Sequence, residues 1–126
     1  MTKIIQISDP HIVPDGQLAY GQIDTDASLS DCVSTINRML PLIGPVKMAI
    51  ITGDLTDFGT AEEYSRFRKI MNSLDIPYCA VPGNHDATEV MRTSFSDQTW
   101  MPTTGAINWM HDFDDIVVIG LDSSVA

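Results

Sequence analysis

Basic residues are scarce in this chain of 126 residues: seven lysines and arginines stand against 17 aspartates and glutamates, which gives a formal net charge of −10. Such a balance provides no basic surface for nucleic acid or for an anionic membrane, and we expect neither as a partner. An acidic protein that handles anionic substrates needs a local positive charge. A bound metal ion can supply that charge.

Cysteine and long apolar stretches are also in short supply. The two cysteines, Cys32 and Cys79, match no zinc-binding spacing and no disulfide framework, so we expect buried free thiols. No apolar stretch approaches the roughly 20 residues that cross a membrane, and the amino-terminal residues do not resemble a signal peptide. With 44% apolar residues, the chain is predicted to be a compact cytoplasmic protein.

Apolar residues recur alternately at strand and at helix spacing. The predicted strands are 4–7, 46–51 and 77–81, the predicted helices are 29–43, 61–74 and a shorter one opened by a cap at 86–89, and a final hairpin pairs 107–111 with 116–121. Strands that alternate with helices predict an α/β fold with a mostly parallel sheet, here followed by a C-terminal hairpin around the acidic turn 112–115.

A polar cluster follows each of the three predicted parallel strands. The clusters are Ser-Asp-Pro-His at 8–11, Gly-Asp-Leu-Thr-Asp at 53–57 and Gly-Asn-His-Asp at 83–86. Neighbouring strands lie about 4.8 Å apart, and sites in parallel sheets gather beyond the carboxyl ends of the strands. Oxygen and imidazole ligands suit divalent iron, manganese, zinc or cobalt, so the three clusters together indicate a metal site.

Each cluster taken alone also fits an ordinary turn or helix cap. Asp9 could close a turn, Asp57 or Thr60 could cap the next helix, and Asp86 could cap the helix after it. The shared position after three successive strands favours the metal site over three unrelated turns.

These residues resemble the calcineurin-like metallophosphoesterases. The resemblance is carried, in the family's order, by Asp9-x-His11, Gly53-Asp54 and Gly83-Asn84-His85-Asp86, and it covers the whole chain. The stretches "LAYGQID" and "GTAEEYSRFRKIMNSLDIPYCAVPGNHD" look most like the class III cyclic-nucleotide phosphodiesterase and glycerophosphodiesterase branch. The fold implied is the amino-terminal half of a four-layer α/β/β/α sandwich.

The resemblance also implies a role for each motif residue. Asp9 and His11 would bind one divalent ion, Asp54 would bridge two ions, and Asn84 would bind the second ion through its amide oxygen. His85 would contact the phosphate and serve as acid or electrostatic stabiliser at the leaving oxygen. The implied reaction is hydrolysis of a small phosphodiester, a cyclic nucleotide or a glycerophosphodiester, by a metal-bound hydroxide.

Two departures from the family pattern narrow this expectation. Protein phosphatases of the family carry an arginine directly after the position of Asp57, where this chain has Phe58, and they have glutamate at the position of Asp86. Both differences favour a small-molecule phosphodiesterase, and Asp86 is expected to orient His85 or to cap a helix. A phosphomonoesterase and a metal-poor, inactive scaffold that binds proteins stay open as alternatives.

Further histidine ligands of the family have no counterpart among residues 1–126. The one histidine left over, His111, is interpreted as an ordinary strand residue. We therefore expect residues 1–126 to be the amino-terminal part of the domain and to be inactive alone. Apolar surface around Ile116–Leu121 is expected to be exposed and to favour self-association or a homo-oligomer. Tyr20 could line the substrate pocket or anchor a loop by packing.

Overall fold

A computed structural model describes residues 1–19 and 21–124; the predicted position of Tyr20 in a substrate pocket lies outside this range. The elements in chain order are β1 (Ile4–Ile7), α1 (Thr25–Ile43), β2 (Met48–Thr52), α2 (Ala61–Met71), β3 (Tyr78–Val81), α3 (Thr88–Ser94), β4 (Trp109–Asp112) and β5 (Val117–Gly120). The predicted α/β architecture is confirmed.

Strands β1, β2 and β3 form one parallel sheet in that order, with β2 in the centre. Ile7 pairs with Ile51, and Thr52 pairs with Val81, so the carboxyl ends of all three strands meet at one edge. The two connections between neighbouring parallel strands contain α1 and α2, as the alternating pattern predicts. This edge receives the three polar clusters.

The core lies between one face of the sheet and the helices. Side chains alternate along each strand, so Ile7, Ala49 and Ile51 turn to the same face and are almost fully buried. The helices contribute Val33 and Phe67 to the same cluster, and α1 packs on α2, which packs on α3. The sheet edge that carries the clusters is therefore supported by a well-packed hydrophobic core.

Each of the two long helices has an N-cap residue whose side chain accepts a hydrogen bond from a backbone N–H group of the first turn. The Asp24 carboxylate accepts from Ala27 N at 3.1 Å at the start of α1. Thr60 and Glu63 form a reciprocal capping box at the start of α2, which resolves the choice between Asp57 and Thr60. The predicted cap of α3 is wrong, because its N-cap is Ala87 and no side chain caps the helix.

The hairpin of β4 and β5 is antiparallel, as predicted, and it lines a cavity together with the parallel sheet. Trp109 attaches it there, because its indole Nε1–H donates to the Ala80 carbonyl at 2.8 Å. The hairpin and the residues that flank β5 expose large apolar side chains: Met110, Ile116, Val117, Ile119 and Leu121. The predicted exposure of this segment is confirmed. Among the described helices, none has the length and apolarity required to cross a membrane.

Candidate metal centre

Three residues of the first two clusters have left-handed backbone conformations. Asp9, His11 and Asp54 have φ angles of 54°, 48° and 50°, which residues other than glycine rarely adopt. Cross-loop hydrogen bonds hold this backbone: His11 N donates to Asp54 O at 2.9 Å, and Ile12 N donates to Leu55 O at 3.0 Å. The loops after β1 and β2 thus stay paired beyond the sheet, and strain of this kind clusters at functional sites.

The paired loops bring the side chains of Asp9, His11 and Asp54 together. His11 Nε2 lies 3.7 Å from Asp9 Oδ1 and 3.4 Å from Asp54 Oδ2. One ligand atom from each of the three residues falls within 4.8 Å of the other two. Asp54 is largely buried, whereas the Asp9 side chain is 56% exposed. Two carboxylates and one imidazole in this arrangement fit a divalent transition metal.

Asp57 orients the imidazole of His11. Its carboxylate Oδ1 lies 3.1 Å from His11 Nδ1, and the side chain is only 7% exposed. With Nδ1–H donated to this carboxylate, the other ring nitrogen, Nε2, faces Asp9 and Asp54. Carboxylate partners of this kind fix the tautomer and raise the basicity of histidines that bind metals. The sequence singled out Asp57 only as a possible helix cap, although it lies three residues after Asp54 in the same loop.

The main chain of Asp57 holds the second histidine of the site. His85 Nδ1–H donates to the Asp57 carbonyl at 2.9 Å, and the His85 ring lies 4.9 Å from the His11 ring, edge to face. This carbonyl is the largest influence that raises the pKa of His85 above its ordinary value of 6.5, and nearby carboxylates add to it. Both influences stabilise the protonated imidazolium of His85 relative to a free histidine. The His85 side chain is about one third exposed.

The second and third clusters touch through their backbones. A Cβ added to Gly83 would lie 2.2 Å from Asp54 Oδ1 and 2.5 Å from Asp54 N, so only glycine fits there. His85 N donates to Asp54 Oδ1 at 2.9 Å. Asn84 is exposed between these two contacts, at the rim of the same site. The structure thus brings all five predicted site residues to one edge of the sheet.

Asp86 does not cap α3, so one of its two expected roles is wrong. Its carboxylate accepts from Leu55 N, Thr56 N and Gly83 N, and neither caps α3 nor bonds to the His85 ring. Sequence reasoning also missed Tyr64, whose hydroxyl donates to Asp86 at 2.9 Å. His111 lies in β4, packed beside Trp109, as the strand interpretation predicted.

The chain is similar to known phosphoesterases over nearly its whole length. The family model described as calcineurin-like phosphoesterase matches residues 2–123. A probable glycerophosphodiester phosphodiesterase, GpdQ, of Arcobacter nitrofigilis is 37% identical over 122 residues, 97% of this chain and 44% of the relative. The 3′,5′-cyclic adenosine monophosphate phosphodiesterase CpdA of Pseudomonas aeruginosa is 31% identical over 124 residues, 97% of this chain and 42% of the relative.

A third relative is the glycerophosphodiester phosphodiesterase GpdQ of Enterobacter lignolyticus, which is 34% identical over 83 residues, 66% of this chain and 29% of the relative. The chain thus spans less than half the length of each of these three relatives. The family match over residues 2–123 covers the three clusters, the parallel sheet and the hairpin.

Proposed function

The chain belongs to the calcineurin-like phosphoesterase family, and we propose that it forms the amino-terminal part of a metal-dependent hydrolase of small phosphodiesters. Residues 1–126 would supply one part of the metallophosphoesterase domain. The match over residues 2–123 and the 44% share of the Arcobacter nitrofigilis relative support this division. A cytoplasmic location stays a prediction from composition.

The observation that carries the proposal is the convergence of Asp9, His11 and Asp54 within 4.8 Å at the carboxyl ends of neighbouring parallel strands. We propose that Asp9 and His11 hold one divalent ion, that Asp54 is shared by two ions, and that Asn84 reaches the second. Iron, manganese, zinc and cobalt all accept this donor set.

Bound cations would neutralise the phosphate and make hydroxide available as a nucleophile near neutral pH. The chain's own contribution is orientation and proton supply. The Asp57 carboxylate fixes the His11 ring, and the Asp57 carbonyl holds His85 with its raised pKa at the same edge. In this arrangement His85 would stabilise or protonate the departing alkoxide oxygen.

The names of the relatives support two substrate classes, glycerophosphodiesters and cyclic nucleotides. Both are small anionic diesters that leave an alkoxide. The net charge of −10 would repel such an anion, and two divalent cations against the carboxylates of Asp9 and Asp54 would leave about two positive charges to attract it. We therefore propose a small phosphodiester as substrate, with these two classes as the first candidates.

The test is hydrolysis of bis(p-nitrophenyl) phosphate, a cyclic nucleotide and a glycerophosphodiester by the natural protein that contains these residues, with manganese or zinc added. Asp54→Asn should abolish turnover and metal binding. His85→Ala should lower turnover about 10²–10⁴-fold and leave metal binding in place. Asp97→Asn is the matched control, because Asp97 pairs with Arg68 at the surface away from the site.

Turnover that persists after exhaustive chelation would refute the proposal. Failure of the wild-type protein to bind manganese or zinc would instead favour the inactive, protein-binding scaffold. Hydrolysis of phosphomonoesters alone would favour the phosphomonoesterase alternative. The chain of 126 residues by itself is expected to bind metal weakly and to show no turnover, because Asp9, His11, Asp54 and Asn84 form only part of two coordination shells.

A further inference from the structure

We propose that Asp86 is a positioning residue that locks the loop after β2 to the loop after β3, and so fixes Asn84 and His85 relative to Asp54. The locking itself is independent of any bound metal. Its consequence for metal affinity rests on the proposed function. Asp86 would act through its neighbours and would touch neither ion nor substrate.

The Asp86 carboxylate accepts five hydrogen bonds from three separate parts of the chain. Oδ2 accepts from Gly83 N at 2.8 Å and from Leu55 N at 3.1 Å. Oδ1 accepts from Thr56 N at 3.1 Å, from Thr56 Oγ1 at 3.0 Å and from Tyr64 OH at 2.9 Å. Bonds to an ionised acceptor are stronger than those between neutral groups, so one side chain fastens both loops and α2 together.

Asp54 makes the reciprocal connection. Its Oδ1 accepts from His85 N at 2.9 Å, so each loop lends one carboxylate to backbone N–H groups of the other. Between the two carboxylates the backbones of Gly53 and Gly83 pack so closely that a Cβ on Gly53 would lie 3.2 Å from Gly83 Cα. The orientation of the Asp54 carboxylate is thereby tied to the spacing that Asp86 maintains.

Tyr64 anchors this connection to the core. Its side chain is fully buried on α2, and its hydroxyl donates to Asp86 and accepts from Ala87 N at 3.1 Å. Burial, and to a smaller extent the negative charge of Asp86, raise the pKa of Tyr64 far above its ordinary value. The hydroxyl therefore stays protonated and can always donate its hydrogen bond. Asp86 is thus tied to α2 as well as to the two loops.

This arrangement suits positioning better than simple turn closure. A turn at Gly83–Asp86 needs only one bond to this carboxylate, the one that Gly83 N donates. The other four bonds reach the loop that carries Asp54 and the helix beneath it. Metal donors must be held within about half an ångström of their productive geometry, and loops acquire such precision only from supporting contacts.

Amide hydrogen exchange of the 126-residue chain, followed by NMR without metal, tests the locking directly. In Asp86→Asn, the amide protons of Leu55, Thr56 and His85 should exchange at least about tenfold faster than in the wild type. The His85 amide is the decisive probe, because it bonds to Asp54 and not to Asp86. Amides in the centre of β2 should change much less, which separates local release from general destabilisation.

A titration of the natural protein that contains these residues, with Mn²⁺ alone, tests the functional consequence. Asp86→Asn should weaken Mn²⁺ binding about 10–100-fold, the loss typical of residues that support metal ligands, and Asp97→Asn should not weaken it. If the wild-type natural protein binds no Mn²⁺, the proposed function fails while the exchange result still decides the locking. If wild type and Asp86→Asn bind Mn²⁺ equally well, the positioning role is overturned.

Tyr64→Phe covers the case in which Asp86→Asn does not fold. This variant removes one of the five donors and keeps the carboxylate, so the same amides should exchange faster by a smaller factor. An unchanged His85 amide in a folded variant, or an equal acceleration of the β2 amides, would overturn the proposal.

Discussion

Replacement of Asp57 by alanine should weaken metal binding by a predictable amount. The substitution removes the carboxylate that accepts from His11 Nδ1 and leaves the Asp57 carbonyl in place to hold His85. The His11 ring would then lose its orienting partner and its defined tautomer. Asp57→Asn keeps an oxygen acceptor at the same place but removes the charge, so its effect should be smaller.

The distance sets the magnitude. A hydrogen bond to a charged group contributes about 1.5–3 kcal/mol, and the 3.1 Å separation from His11 is longer than the 2.7–2.9 Å of the strongest pairs. We therefore take the lower part of the range, about 1.5–2 kcal/mol, which corresponds to about 10–30-fold in affinity. A neutral acceptor recovers part of this energy, so Asp57→Asn should lose about threefold to tenfold.

Calorimetric titration with Mn²⁺ or Zn²⁺ measures both variants against the wild type, with Asp97→Ala as the matched control. The ring ¹H–¹⁵N signals of His85 should change less than those of His11, because the Asp57 carboxylate lies 3.6 Å from His85 Nδ1 and the hydrogen-bond partner of His85, the Asp57 carbonyl, is retained. Equal affinities for wild type and Asp57→Ala would show that His11 needs no carboxylate partner and would refute the reasoning. Equal losses in Asp57→Ala and Asp97→Ala would point to general destabilisation.

Three further outcomes can be checked on the same chain. Gly83→Ala should lower the free energy of unfolding by about 1–3 kcal/mol, because the added Cβ would lie 2.2 Å from Asp54 Oδ1 and 2.5 Å from Asp54 N; an unchanged free energy in urea unfolding would contradict the crowding. Ile119→Lys should reduce self-association seen by light scattering, whereas Leu42→Lys, a change on α1, should not; a monomeric wild type would exclude this surface. Arg68 holds the pKa of the Asp97 carboxyl below its ordinary value of 3.8. Asp97 therefore contributes its full stabilisation at pH values above 3.8, and this contribution is lost as the pH falls through the lower pKa that Asp97 has in the folded protein. Wild type and Asp97→Asn should therefore differ in stability near neutral pH and converge in strong acid.

The periodicity of apolar residues predicted the order of the strands and helices well, and their ends less well. β1 has the predicted bounds, because its apolar residues and its pairing coincide. The hairpin was predicted to begin at residue 107, yet Ile107 N donates to the Asp122 carboxylate and pairing begins at Trp109. Burial sets the apolar pattern, whereas the ends of a strand depend on which neighbour takes each N–H group.

The site residues followed from their shared position after three strands, but their supporting partners did not. Asp9, His11, Asp54, Asn84 and His85 were predicted to meet at one sheet edge, and the described structure brings them there. Their roles as ligands and catalyst stay a prediction. The supporting contacts join residues far apart in the sequence: Asp86 and Thr56 are 30 residues apart, and Asp57 and His11 are 46 residues apart. Local residue spacing therefore could not predict which carboxylate supports which loop.

The left-handed residues show why the supporting contacts matter. A left-handed conformation costs a residue with a side chain roughly 1–2 kcal/mol, and Asp9, His11 and Asp54 all adopt it. Glycine at these positions would relieve the strain but would supply no ligand atom. The hydrogen bonds between the loops and the carboxylate of Asp86 offset the cost from outside the strained residues. The geometry of the site is therefore a property of the paired loops, and a motif residue transplanted without its partners would lose both its conformation and its direction.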